Sequence, residues 1–130
     1  MERAASQVGE ALWGVVAFGS WARQELSQGS DVDILIVVED SFPIDRGAYR
    51  AWDDAPLSWE GHPVEPHFVH LPQRDGRLSG IWAEVAVDGV VLFERGGVVS
   101  RRLAEVRHRI VSGEIARRLS HGQSYWVEVG

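Results

Sequence analysis

The stretch that most constrains this chain is Val32-Asp33-Ile34-Leu35-Ile36-Val37-Val38, in which Asp33 is the only polar residue. Aliphatic and β-branched residues this dense, following the loop-like Ser27-Gln28-Gly29-Ser30, specify a buried strand. Acids at the mouth of such a strand are not what a core needs. Strand side chains alternate between faces, so Asp31 and Asp33, two positions apart, fall on the same one. Two carboxylates this close repel, and a hard divalent cation bound through oxygen relieves the repulsion. The apolar run behind them holds the pair rigid.

A second element precedes the acids. Trp13 to Phe18 is a short β-branched and aromatic run that stops at Gly19-Ser20, as a strand meeting a glycine turn does. Ser20 suits the N-cap of a short helix over Trp21–Leu26. A glycine lets backbone approach a ligand closely, and the amides of a helix N-terminus, with the Ser20 hydroxyl, suit a phosphate. Arg23, one turn on, brings a guanidinium toward the same phosphates, and Ser30 joins this nucleotide-binding group beside Asp31. Together these residues describe a triphosphate cradle next to a metal site.

The rest of the pattern alternates helix and strand, which favours a layered α/β arrangement. A first helix ends near Leu12, and another lies within Asp45–Trp59, broken by Pro56. Val64–Leu71 reads as a strand whose Pro66 suggests an edge position or a bulge. A turn over 73–77 leads to a helix capped by Ser79 and running to about Val87, then a short core strand, Val90–Glu94. A helix follows from Ser100 to about Val111, and Ile115–Val129 is either more helix or a hairpin turning at His121-Gly122. The expected layout puts helices mostly on one face of the sheet and the acidic site on the other.

Composition narrows the function classes. The chain has no cysteine, so disulfides, thiolate nucleophiles and cysteine zinc sites are excluded. No apolar run is long enough to span a bilayer, and Met1-Glu2-Arg3-Ala4 lacks an export signal, so a cytoplasmic protein without a membrane partner is expected. A net charge of −6 argues against direct nucleic-acid binding across the whole surface. Arg101 to Arg118 nevertheless carries six arginines against two glutamates, and reads either as a solvated face or as a docking surface for an acidic partner or RNA. His62, His67 and His70 match no familiar zinc spacing, and His67 and His70 cannot share a face of a regular strand.

Gly19-Ser20, ten intervening residues and then Asp31-Val32-Asp33 resemble the signature of the DNA polymerase β-like nucleotidyltransferases. The motif is most similar to that of the minimal nucleotidyltransferase family, whose members often act as antitoxin partners of HEPN-domain toxins. The resemblance implies an α/β fold with a small mixed β-sheet flanked by helices. It implies a single domain over 1–130, with its core at about 8–96 and a C-terminal helix and tail at about 97–130. It further implies two Mg²⁺ ions bridged by the Asp pair, and transfer of a nucleotide, AMP from ATP, to a hydroxyl with release of pyrophosphate.

In that family a third carboxylate comes from a later strand. The matching segment is Val64-Glu65-Pro66-His67-Phe68-Val69, where Glu65 replaces the commoner Asp and shares a face with His67, Val69 and Leu71. Glu65 would complete the metal ligands with Asp31 and Asp33 and orient or deprotonate the acceptor hydroxyl. The chain is too short for the extra helical domain that binds acceptors in larger relatives. The resemblance therefore implies a partner protein, a HEPN-type toxin, as acceptor. Two alternatives stand beside this reading: a non-catalytic module acting by occlusion, and a small-molecule, antibiotic-type nucleotidyltransferase completed as a homo-oligomer.

Overall fold

The computed structural model describes residues 2–27, 29–72, 78–120 and 123–129. In chain order its elements are α1 (Glu2–Val8), a 3-10 turn (Gly9–Ala11), β1 (Leu12–Phe18), β2 (Val32–Val38), α2 (Arg46–Asp53), β3 (Ser58–Trp59) and β4 (His62–His70). There follow α3 (Gly80–Asp88), β5 (Val90–Glu94), α4 (Val98–Val111), β6 (Ile115–Ser120) and β7 (Gln123–Glu128). The turn over 73–77 and the one at His121-Gly122 lie outside the described residues.

The two apolar runs stand side by side at the heart of a five-stranded mixed sheet, ordered β3-β4-β2-β1-β5. β1 runs antiparallel to β2 and β5, while β4 runs parallel to β2. A parallel neighbour requires a crossover, and α2 lies on it, started by Asp45, whose carboxylate accepts from the Ala48 N–H at 3.2 Å.

Alternation along β2 divides the core in two. Val32, Ile34, Ile36 and Val38 pack with Ala4 and Val8 of α1 and with Ala48 and Trp52 of α2. Leu35 and Val37 point the other way, against Trp82 and Val85 of α3 and Val99, Leu103 and Val106 of α4. The sheet is thus covered by helices on both faces, not mostly on one as expected. The reason is the unbroken apolar run itself: a strand with no polar face beyond Asp33 must be buried on both sides.

Other local expectations change for physical reasons. Trp21–Leu26 forms no helix. It is a turn closed by bonds from Arg23 N–H to Gly19 O, Gln24 N–H to Trp21 O and Glu25 N–H to Ser20 O, at 3.1, 3.0 and 2.7 Å, and Gln24 at φ 59° ends any helical path. β5 is a half-exposed edge strand, not a core one, because β1 alone flanks it among the described strands. The helix within 45–59 is shorter than expected, and its last residues form β3.

Pro66 occupies the open edge of β4, as expected. The Val64 N–H donates outward to Leu57 O at 2.9 Å and the Phe68 N–H outward to Tyr49 Oη at 3.1 Å. Pro66 falls between them, where a missing N–H leaves nothing unpaired. The C-terminal segment is a hairpin of β6 and β7, fixed to α3 through Glu84, which accepts from Trp126 Nε1 at 2.8 Å and pairs with Arg117 at 3.1 Å. Arg102, Arg107 and Arg109 are likewise held by groups of the same chain, so most of the arginine-rich segment serves the fold.

Candidate active site

The acidic residues gather at one end of the sheet, where β1 stops and β2 and β4 begin. Asp33 follows the parity of Leu35 and Val37, so it projects from the α3/α4 side, beyond the point where apolar packing ends. In the parallel ladder Asp33 is the register partner of Glu65. Register partners in adjacent strands point the same way and stand about 4.8 Å apart along the hydrogen-bond direction. Glu65 therefore shares the face of Asp33, together with His67 and Val69, as its spacing indicates. Asp31 is exposed in the residue just before β2, and Val32 between the two aspartates is buried in the opposite layer.

Asp33 is hydrogen-bonded at one carboxylate oxygen and lies close against a glycine at the other. His67 Nε2 lies 3.2 Å from Oδ1, and the His67 ring packs against Phe18, with centroids 5.3 Å apart. On the other side, Gly19 has φ +74°, and a Cβ there would sit 2.8 Å from Asp33 Oδ2. Only glycine gives both that backbone conformation and that approach. The bond from His67 and the contact at Gly19 are features that the sequence pattern alone did not show. The one signal for the first was the shared parity of Glu65 and His67.

The nucleotide-binding candidates divide. Gly19 is in contact range of Asp33 and Ser20 follows it in the turn, whose backbone hydrogen bonds are donated by Arg23, Gln24 and Glu25. Arg23 is engaged by Glu25 at 3.1 Å and Asp88 at 3.4 Å, and the hydrogen bond it donates to Glu25 raises its pKa above the ordinary arginine value. Ser30 is fixed in place: its hydroxyl is 3.0 Å from that of Ser27, and its carbonyl oxygen meets His62 Nδ1 at 2.8 Å. His70 Nε2 meets Phe42 O at 2.8 Å, so the three histidines serve three different partners and no shared zinc site. An apolar groove of about 390 Å³ runs under the turn, lined by Trp21, Ala22, Gln24, Leu26, Trp59 and Val90.

Among the described residues no three His, Asp or Glu side chains are gathered into a ready metal-ligating group. The donor chemistry nevertheless fits a hard cation. Two carboxylates are neighbours in register, a third precedes Asp33 by two residues, and the glycine lets the Asp33 carboxylate lie where any side chain would displace it. Such a set of oxygens suits Mg²⁺ better than zinc.

Comparisons with known proteins agree with this architecture. Solved structures similar in fold include two toxin–antitoxin proteins. One is a toxin–antitoxin with AMP-PNP, at 15% identity and TM-score 0.55, covering 82% of this chain and 81% of that one. The other is the toxin–antitoxin MntA-HpeT carrying two Asp-to-Glu substitutions, at 13% identity and TM-score 0.54, with the same coverage of 82% and 81%. No curated protein sequence matches the chain. No helix among the described residues is long and apolar enough to cross a membrane. Residues 5–85, more than half of the chain and including every candidate acid, match the family model of the nucleotidyltransferase domain, and the chain belongs to that family.

Proposed function

We propose that this chain transfers AMP from ATP to a hydroxyl on a partner protein, a HEPN-type toxin, and thereby acts as its antitoxin. The observation that carries the reading is the register pairing of Asp33 with Glu65 beside the Gly19 turn. The structural neighbours support the setting: both are toxin–antitoxin proteins, and one was crystallised with an ATP analogue. The two changed aspartates of the MntA-HpeT variant stand two residues apart, as Asp31 and Asp33 do here.

Asp31, Asp33 and Glu65 would hold two Mg²⁺ ions, which when bound stabilise charge on the attacking and leaving oxygens. Gly19 lets the backbone approach the triphosphate, and the Ser20 hydroxyl and neighbouring amides offer donors to its oxygens. Arg23 would exchange its carboxylate partners for phosphate, and Ser30 holds the loop that presents Asp31. Glu65, exposed at the outer side of the acids, is available to an incoming acceptor and takes its proton. The acceptor oxygen then attacks the α-phosphorus in line, and pyrophosphate leaves.

The test is direct labelling. The chain is incubated with Mg²⁺, ATP labelled at the α-phosphate and a lysate containing candidate partners. The native chain is expected to label a protein hydroxyl, and Asp33→Asn to label nothing. Partner neutralisation without any covalent label would favour occlusion instead.

A further inference from the structure

We infer that His67 is a positioning residue for the metal-binding carboxylate of Asp33, and that divalent-cation affinity depends on the hydrogen bond between them. This rests on the metal-site reading given above. A carboxylate only accepts, so the hydrogen between Nε2 and Oδ1, 3.2 Å apart, belongs to the imidazole. With Oδ1 engaged, Oδ2 is the oxygen left without a hydrogen bond from His67, and it lies close against the Gly19 turn.

The arrangement is built from three strands. Phe18 on β1 is the register partner of Asp33, and His67 on β4 is the partner of Leu35, two residues further along β2 on the same face. The two rings meet across β2 at 5.3 Å, tilted by 60°. Phe18 thereby steadies the imidazole, and the imidazole steadies the carboxylate. The pair does little for the fold itself: His67 and Asp33 remain 35% and 32% exposed, and ion pairs this accessible add little stability. A contact of small structural worth that orients a candidate ligand is the arrangement that metal sites use to fix their first ligands.

The experiment measures Mn²⁺ binding by electron paramagnetic resonance with a non-hydrolysable ATP analogue, alongside thermal unfolding without metal. His67→Phe keeps a ring against Phe18 but has no donor, and should weaken Mn²⁺ binding about tenfold, the low end for loss of such a support. His67→Gln restores an N–H at similar reach and should bind close to the native value. Both should unfold at the native temperature. Native Mn²⁺ affinity in His67→Phe would overturn the inference, as would His67→Gln binding as weakly as His67→Phe. Asp33→Asn separates the two readings: it should abolish binding. If Asp33→Asn binds Mn²⁺ as the native chain does, the metal site and this inference fall together. If it loses binding while His67→Phe does not, the inference alone falls.

Discussion

Gly19→Ala should damage function far more than stability, and the structure supplies its own control. Gly19 and Gly9 both have positive φ, +74° and +68°, but a Cβ at Gly9 meets nothing within 4 Å. Forcing an L-residue into this region costs about 1–2 kcal/mol at either site. A stiffer unfolded chain offsets about 0.4–1 kcal/mol of that. Each variant should therefore lose about 1 kcal/mol, or roughly 4 °C in Tm for a chain of this size. The sites differ in the second cost. At Gly19 the new methyl would lie 2.8 Å from Asp33 Oδ2, well inside ordinary contact. Asp33 is partly exposed, so its side chain can swing away with little cost to the fold, but its carboxylate then leaves the site. Thermal melts of both variants, followed by titration of ATP in the presence of Mg²⁺, test this. Gly9→Ala should bind as the native chain does, and Gly19→Ala should bind at least about tenfold more weakly, the loss of one charged contact. Equal affinities in the two variants would refute the argument that Gly19 keeps the Asp33 carboxylate in the site.

Other substitutions probe different links. Glu65→Gln should leave nucleotide affinity nearly intact yet lower transfer by about 10²-fold or more in a labelling assay, since an acid–base group acts on the chemical step. Leu35, fully buried between the sheet and α3/α4, should cost about 2–5 kcal/mol as Leu35→Ala in urea denaturation, and a loss below about 1 kcal/mol would contradict the two-sided core. Arg23→Ala should change stability by less than about 0.5 kcal/mol, because its ion pairs are exposed, while reducing nucleotide affinity about tenfold if the guanidinium meets phosphate.

The strands were legible because their apolar runs are short, dense and bounded by turn residues. Val32–Val38 carries its limits in its composition, and the parity of Glu65 and His67 was enough to assign their face. Three things were hidden. The unbroken run calls for cover on both faces, but it does not say which later segments supply it, so the α3/α4 layer over Leu35 and Val37 could not be read from β2 alone. The turn after Gly19 has a helical composition, but Gln24 at φ 59° ends it after a single turn, and nothing in Trp21-Ala22-Arg23-Gln24 announces that. The bond from His67 to Asp33 depends on strand order and register, which place β4 parallel to β2 with Glu65 beside Asp33. Sequence gives the period of a strand, and pairing is set by the whole sheet.

The central claim is that Asp31 and Asp33 bind nucleotide through a divalent cation. Calorimetric titration of ATP, with Mg²⁺ and with a chelator, into the native chain and into the Asp31→Asn/Asp33→Asn variant tests it most directly. Mg²⁺ should tighten binding to the native chain by about tenfold or more and have no such effect on the variant, consistent with loss of charge-assisted contacts. The same Mg²⁺-dependent gain in both proteins would contradict the account.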